Sequence, residues 1–361
     1  MKWVIVAGGT GGHLIPGIAL AEKILQRGEE VLFIAGNRAI ERFILKDRPF
    51  PVHHLDVEGF VGRSLKDKAR ASFKLFKAFN KAYRLIREFN PEVILAEGGY
   101  VSVPVVLAGK ALSKKIALHE QNLIPGKANL FLSKLVDRVF ISFLESKKYF
   151  PEKKIVFSGN PVRKDLFVER KREHQGVGLL VLGGSLGARY INLLVLELTD
   201  ELFQTIPNLY LIHQTGLEEF EAVKKNYKKK PIWEKYKEQI KIFPFIEDMG
   251  WAYSQVDLVL CRAGATTLAE IIALKKPAVL IPYPYAAQGH QEKNAEVLVN
   301  SGCALMFKED TLEKNEFLKE LKELLLNKER LKKMREAYKN LEVESPEKVI
   351  IEEMKRLVKG D

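Results

Sequence analysis

Val4-Ile5-Val6-Ala7-Gly8-Gly9-Thr10-Gly11-Gly12-His13 decides the fold. Its four apolar residues read as a buried strand, and the glycines after them as a tight turn into a helix expected to begin near Pro16. Glycine suits that turn because it takes positive φ freely and lets backbone N–H groups approach an anion at a helix N-terminus. The arrangement recurs where Leu179-Leu180-Val181-Leu182 runs into Gly183-Gly184-Ser185-Leu186-Gly187-Ala188-Arg189. Each loop thus opens an α/β half. Neither is a Walker loop, since no Gly-Lys-Ser/Thr follows, and Gly8 to Gly12 do not match the dinucleotide G-x-G-x-x-G spacing. For either loop alone, a tight turn without a ligand stays open.

A chain of 361 residues exceeds the size at which one core usually stops growing, which predicts two domains. Strand-like runs alternate with helical patterns, as in parallel βαβ units. They are Val4 to Ala7, Val31 to Ile34, Val93 to Ala96, Ile116 to Leu118 and Val139 to Ile141, then Leu179 to Leu182, Leu209 to His213, Ile240 to Phe243, Leu258 to Cys261 and Ala278 to Ile281. Two Rossmann-like, doubly wound α/β domains are therefore expected, over 1–161 and 162–340. Their joint falls near Gly159-Asn160-Pro161-Val162-Arg163, where Asn-Pro breaks any helix. In the remaining segment, 341–361, Ser345-Pro346 reads as the N-cap and first residue of a helix burying Ile350, Met354, Leu357 and Val358. That helix is expected to cross back to the first domain.

No run of about 18 uncharged apolar residues is present to span a bilayer. Met1-Lys2-Trp3-Val4 enters the first strand directly, so no signal peptide and a cytoplasmic location are expected. Cys261 and Cys303 are the two cysteines, with no metal-ligand spacing, and read as free thiols. The net charge of +12 calls for an anionic partner. Lys66, Lys68, Arg70, Lys74, Lys77, Lys81, Arg84 and Arg87 crowd one stretch together with Phe73, Phe76, Phe79 and Tyr83. Leu75, Phe76, Phe79, Tyr83 and Ile86 fit the core stripe of a helix, while Phe73 falls off it. Phe73 with Lys66, Arg70, Lys74 and Lys77 is expected to dock on an anionic membrane surface. No basic recognition helix or stacking motif points to nucleic acid. The lysine-rich stretch Lys224 to Lys241 reads as an exposed connector.

Cys261-Arg262-Ala263-Gly264-Ala265-Thr266-Thr267-Leu268-Ala269-Glu270 follows an apolar strand directly. Glycine and hydroxyls at a helix N-terminus suit a diphosphate, and Glu270 suits a ribose diol. Glu270 reads equally as an ordinary acid complementing the helix dipole.

Taken in order, Gly8 to His13 with Pro16, Gly98-Gly99-Tyr100-Val101-Ser102, His119-Glu120-Gln121-Asn122, Gly159 to Arg163, Gly183-Gly184-Ser185 with Gly187-Ala188, and Gly264 to Glu270 resemble the MurG family along nearly the whole chain. These transferases add N-acetylglucosamine from UDP-N-acetylglucosamine to undecaprenyl-linked muramyl-pentapeptide in cell-wall synthesis. The resemblance implies the GT-B glycosyltransferase fold, two domains facing a deep cleft, with the donor mainly on the second domain and the lipid acceptor on the first. It also implies a peripheral protein on the cytoplasmic face of the inner membrane. Position by position it assigns Arg163 and Ser185 to the donor diphosphate and Ile246 to backbone recognition of uracil. Ala265, Thr266, Thr267, Leu268, Ala269 and Glu270 would hold diphosphate and ribose, and Gln291 the sugar hydroxyls. Thr10, Gly11, Gly12 and Asn122 would face the transferred sugar. Gln288-Gly289 stands where the pattern expects an acid, and Glu97 before Gly98 is unusual.

Inverting transfer needs one base for the acceptor hydroxyl and stabilisation of the departing UDP, but no covalent intermediate. His13, at the end of the first glycine loop, is the expected base; capping the helix or binding acceptor phosphate are its other readings. Glu120 is the alternative base, or orders its loop. No acidic triad or Asp-x-Asp stands at the diphosphate segment, so no cofactor is expected and a divalent ion is not required. The rivals are a UDP-sugar diacylglycerol glycosyltransferase, a UDP-sugar epimerase and a membrane-bound nucleotide sensor.

Overall fold

A computed structural model describes residues 1–9, 11–58, 65–184, 187–341, 343 and 345–360, with the backbone alone for 65–69. Two compact units emerge, one of Met1–Arg163 with Val343–Asp361 and one of Lys164–Glu342.

The first unit is built on strands β1 (Lys2–Ala7), β2 (Glu30–Ala35), β3 (Val52–His54), β4 (Val93–Ala96), β5 (Lys115–Glu120), β6 (Arg138–Ile141) and β7 (Ile155–Phe157). All pair in parallel, in the order β3-β2-β1-β4-β5-β6-β7. Helices α1 (Gly11–Gln26), α2 (Ala39–Leu45), α3 (Leu65–Phe89), α4 (Ser102–Ala111) and α5 (Lys127–Leu132) connect them. Strand residues alternate between two cores, because a strand presents successive side chains to opposite faces. Trp3, Ile5 and Ala7 pack on one side with Leu14, Ile18 and Ile24 of α1, and Val4 and Val6 on the other with Ala78, Ala82 and Ile86 of α3.

The second unit carries β8 (Gly178–Leu182), β9 (Tyr210–Gln214), β10 (Ile240–Phe243), β11 (Leu258–Cys261), β12 (Ala278–Leu280) and β13 (Ala304–Met306) in the order β10-β9-β8-β11-β12-β13. These strands are parallel too. Its helices are α6 (Arg189–Thr205), α7 (Phe220–Lys228), α8 (Trp233–Tyr236), α9 (Met249–Ser254), α10 (Ala265–Leu274), α11 (His290–Asn300), α12 (Lys314–Leu326) and α13 (Lys328–Ala337). Strand order reverses beside β1 in the first sheet and beside β8 in the second. Ligands of open α/β sheets bind at the carboxyl ends of strands at such points, which is where both glycine loops lie. A last helix, α14 (Pro346–Lys359), buries Ile350, Ile351, Met354 and Leu357 in the first unit's core beside Trp3 and Ile5.

Several expectations need correcting. Helix α1 begins already at Gly11, with Pro16 buried inside it, so the glycine loop and the first helical turn share residues. Ser345 precedes α14 but sits in the left-handed region at φ 50° and makes no side-chain cap. Of the expected stripe of α3, Ile86 is fully buried and Phe79 and Tyr83 pack partly buried on the core beside Ala78 and Ala82, but Phe76, 62% exposed, lies outward with Phe73, 59% exposed. Lys224 to Lys241 is no exposed connector, since Val223, Tyr227, Ile232 and Tyr236 join the second core through α7 and α8. Three strands escape the sequence patterns: β3, β7 and β13, each three residues long and each at a sheet edge.

Among these core groups His213 predicts a pH effect. It is fully buried, its Nδ1 2.9 Å from the Tyr227 hydroxyl and its Nε2 3.0 Å from Asn192 Oδ1. Burial pushes its pKa from the ordinary 6.5 down to about 3. The unfolded chain therefore holds the extra proton between these values, so the folded state is favoured above about 6.5 and loses that advantage as pH falls. The slope is at most about 1.4 kcal/mol per pH unit. Urea unfolding between pH 7 and 4 is expected to show a smaller pH slope for His213→Gln than for wild type. Equal slopes would mean that His213 does not govern the acid sensitivity.

Candidate active site

The loop after β1 is shaped by contacts that leave no room for a Cβ. At Gly8 a Cβ would stand 2.7 Å from Val101 Cγ1, and at Gly99, where φ is +79°, 2.4 Å from the Gly8 carbonyl. Buried Glu41 on α2 anchors the turn: its Oε1 accepts from Gly9 N at 2.6 Å, and its Oε2 from Arg38 N at 2.7 Å. Arg38 Nη1 in turn donates to the Gly9 carbonyl at 3.1 Å. These contacts hold the start of α1, where Gly11, Gly12 and His13 form the first turn. The imidazole is half-buried over the Gly98 loop, close enough that a Cβ on Gly98 would come 3.2 Å from its Cε1.

Behind His13 lies a buried chain of polar side chains from the ends of β4 and β5. His13 Nδ1 is 2.8 Å from Gln121 Oε1. Gln121 Nε2 donates to the Glu97 carbonyl at 2.9 Å and to Glu97 Oε2 at 2.7 Å. The same Oε2 is 2.7 Å from His119 Nδ1, and His119 Nε2 lies 3.0 Å from Ser142 Oγ and 3.1 Å from the Gly159 carbonyl. Glu97, His119 and Gln121 are fully buried, where polar groups survive only when hydrogen-bonded.

Glu120 plays a different part. Its Oε1 accepts from Asn122 N at 2.9 Å and Asn122 Nδ2 at 3.3 Å, and its Oε2 from Asn129 Nδ2 at 2.8 Å and Gly126 N at 3.3 Å. Fully buried and surrounded by donors, it orders the 120–129 loop and orients Asn122; the geometry does not suit a proton acceptor for substrate. The donors around it favour the other reading of Glu120, an acid that orders its loop.

In the second unit the loop after β8 closes as Gly187 N donates to the Gly184 carbonyl at 3.1 Å. Gln214, at the end of β9, donates from Nε2 to the same Gly184 carbonyl at 3.0 Å and accepts from Ile246 N at 2.9 Å. Beyond β11, Gly264 is the N-cap of α10, followed by Ala265, Thr266, Thr267, Leu268 and Ala269 in its first turns. Glu270 is buried deeper in the helix and its Oε2 accepts from the Tyr253 hydroxyl at 3.1 Å. Its charge, after burial itself, contributes to raising the pKa of the Cys261 thiol. Gln288 and Gly289, both left-handed at φ 56° and 65°, turn the chain into α11, and Gln291 Oε1 accepts from Tyr283 N at 2.9 Å. Arg262, between β11 and α10, donates from Nη1 to the Ile281 and Pro282 carbonyls, each at 3.1 Å, and pairs with Glu309 at 2.6 Å.

The structure thus brings His13, Gly11, Gly12 and Asn122 to the β1, β4 and β5 ends of the first unit, and residues 264–270 with Ile246 to strand ends of the second. Arg163 is the half-buried last residue of the first unit's main segment. Thr10, Ser185 and the Lys66 side chain lie outside the described residues. On α3, Lys77 Nζ lies 4.5 Å over the Phe73 ring, and Arg70 is exposed. Lys74 is drawn away into ion pairs with Glu58 at 2.5 Å and Asp56 at 2.9 Å, which raise its pKa. Among the described residues no cluster of three or more His, Cys, Asp or Glu is placed to hold a metal ion, and no helix is long and apolar enough to cross a membrane.

Residues 3–141 match the Glycosyltransferase family 28 N-terminal domain, and residues 178–353 the Glycosyltransferase family 28 C-terminal domain. A UDP-N-acetylglucosamine--N-acetylmuramyl-(pentapeptide) pyrophosphoryl-undecaprenol N-acetylglucosamine transferase of Myxococcus xanthus is 42% identical over 339 residues, covering 92% of this chain and 87% of that protein. One of the same description from Geotalea uraniireducens is 37% identical, covering 99% of this chain and 98% of that protein. Among solved structures, Acinetobacter baumannii MurG superposes with a TM-score of 0.74 at 29% identity, over 99% of this chain and 100% of that one. A putative UDP-N-acetylglucosamine 2-epimerase from Listeria monocytogenes shares the fold, with a TM-score of 0.73 at 16% identity, over 100% of this chain and 97% of that one.

Proposed function

The chain belongs to glycosyltransferase family 28 and, within it, to the MurG transferases, and from that premise we propose how its residues divide the work. It transfers N-acetylglucosamine from UDP-N-acetylglucosamine to the 4-hydroxyl of muramyl-pentapeptide-diphospho-undecaprenol, giving lipid II and UDP with inversion at the anomeric carbon. His13 Nε2 takes the proton of that hydroxyl as the new glycosidic bond forms. The bond to UDP breaks on the opposite face of the sugar. Gly11, Gly12 and Asn122 line the sugar, while Glu120 acts through the Asn122 loop as a positioning residue. On the second unit the N-terminal turn of α10 suits the donor diphosphate; the family resemblance assigns Ser185 and the planar, always-charged Arg163 to the same group. Glu270 accepts from the ribose diol, the Ile246 carbonyl meets uracil, and Gln291 bonds sugar hydroxyls.

The observation that supports this division best is the half-buried His13, held at Nδ1 and turned over Gly98 at the switch point of the first sheet. The test is transfer of radiolabelled N-acetylglucosamine from its UDP donor to a short-chain lipid-linked muramyl-pentapeptide, comparing wild type with Arg163→Ala. Labelled disaccharide product from wild type and weakened use of donor in the variant are expected. Label appearing on diacylglycerol instead would hand the chain to the glycolipid rival, which relatives named for the muramyl acceptor do not favour.

For the site of action, we propose peripheral attachment to the cytoplasmic face of the inner membrane through the outer face of α3. Phe73 and Phe76 stand exposed there, beside exposed Arg70 and Lys77. Apolar rings rimmed by cations suit anionic headgroups, whereas Lys74, paired with Glu58 and Asp56, contributes less net charge, and Arg70 shares Glu58 at 3.7 Å. Because burying a Phe side chain is worth about 1.5–3 kcal/mol, Phe73→Asp with Phe76→Asp is expected to weaken sedimentation with anionic vesicles by roughly tenfold or more. Turnover of a short-chain soluble acceptor should be spared. Equal loss in both assays would place these rings in the fold's support instead.

A further inference from the structure

We propose that buried Glu97 is a positioning residue for the transfer: through the Gln121 amide it fixes the His13 ring with its proton on Nδ1, leaving Nε2 bare to accept the proton of the acceptor hydroxyl. This rests on His13 being the base, as assigned above. The direction of each hydrogen bond follows from what each group is able to donate. The Glu97 carbonyl is an acceptor only, and so is a carboxylate oxygen. Gln121 faces both, at 2.9 and 2.7 Å, and so must present its NH2 to them. Both amide hydrogens are thereby used, and the oxygen is the end that remains for His13, 2.8 Å away. An amide oxygen only accepts, so His13 Nδ1 must be the donor and the neutral ring carries no proton on Nε2.

Glu97 is itself held in place by His119, whose Nδ1 shares its Oε2 at 2.7 Å, while among the described residues Glu97 Oε1 has no hydrogen-bond partner. His119 is anchored at its other nitrogen by Ser142 and the Gly159 carbonyl. The chain His13–Gln121–Glu97–His119 therefore does with an intervening amide what a carboxylate does when it orients a catalytic imidazole directly. Without the carboxylate, only the Glu97 carbonyl and the more distant His119 Nδ1, 3.3 Å from Gln121 Nε2, would remain to orient the amide, a looser hold. The amide could then turn its nitrogen toward His13, moving the ring proton to Nε2 and silencing the base.

Nitrogen-15 NMR of the protein labelled in its histidine rings reads the tautomer directly, with the His13 signals identified by their loss in His13→Ala. Wild type is expected to show a protonated Nδ1 and a bare Nε2. Gln121→Leu, and to a smaller extent Glu97→Met, should move the neutral ring toward the Nε2–H form. In transfer assays Glu97→Met is expected to lower kcat about tenfold with the donor KM within roughly twofold, and to add no further loss to His13→Ala. An Nε2–H ring in wild type, a tautomer unmoved in both variants, or the full loss persisting on the His13→Ala background would overturn the proposal. Because the tautomer is read without substrate, a wild-type ring protonated at Nδ1 in a protein that makes no product would sink the proposed function and leave the hydrogen-bond relay standing.

Discussion

His13→Ala is expected to lower kcat for transfer about a thousandfold, within the 10²–10⁴ range of a positioned general base, or about 4 kcal/mol of transition-state stabilisation. The donor KM should change little, because the imidazole is assigned to the acceptor hydroxyl and the nucleotide to the second unit. The substitution is structurally mild: His13 is half-buried, and it leaves Gln121 with both of its bonds to Glu97. Single-turnover transfer with both substrates saturating isolates the chemical step. A loss confined to KM, with kcat kept, would instead make His13 a ligand of the acceptor phosphate and require a base elsewhere. Glu120 would be a poor replacement, because its carboxylate is fully buried and accepts hydrogen bonds from Asn122, Gly126 and Asn129.

Much of the framework was legible because central strands of a parallel sheet are covered on both faces and read as continuous apolar runs. Val4 to Ala7, Val93 to Ala96 and Leu258 to Cys261 are of this kind. Edge strands are not: Val52–His54 is half-buried and contains two histidines, and three residues are too few for any periodicity to register. On α3 the sequence misled in a second way, since Phe76 fits the apolar stripe yet lies outward, while Ala71, Ala78 and Ala82 share the buried line with Ile86. Close helix packing favours small residues, and Ala71, Ala78 and Ala82 carry no strong hydrophobic signature. Tyr227 and Tyr236 were hidden among lysines for the opposite reason, because charged neighbours on the solvent face masked a stripe of few but large buried rings.

At the site, the glycine loops and the 264–270 segment could be placed from the sequence because their residue types follow from backbone sterics. The side-chain relay could not. His119 lies in β5, Gln121 directly follows that strand and Glu97 directly follows β4, so their meeting depends on the parallel pairing of β4 with β5. The signal available was the oddity of an acid at position 97, directly after four apolar strand residues, where a buried charge demands a partner. Gln214 and Glu41, which anchor the loops of the two units, gave no such signal, being polar residues at ordinary strand and helix positions.

Glu270→Ala should produce the second large effect, on binding instead of chemistry. A carboxylate accepting from both hydroxyls of a ribose makes two charge-assisted hydrogen bonds, each worth about 1.5–3 kcal/mol when desolvated. Loss of both, offset by water entering the space, is expected to weaken UDP binding about a hundredfold, close to 2.7 kcal/mol. Calorimetric titration with UDP alone measures this without any acceptor. The buried Tyr253 hydroxyl would lose this hydrogen bond in the same variant, so the unfolding midpoint is expected to drop as well. Glu270→Gln separates the two effects: it keeps an oxygen for Tyr253 but has one acceptor oxygen instead of two, so stability should be restored while UDP binding stays weakened. If Glu270→Gln bound UDP as tightly as wild type, the acid would be serving Tyr253 and the start of α10, and recognition of the ribose would have to lie with other groups of the second unit.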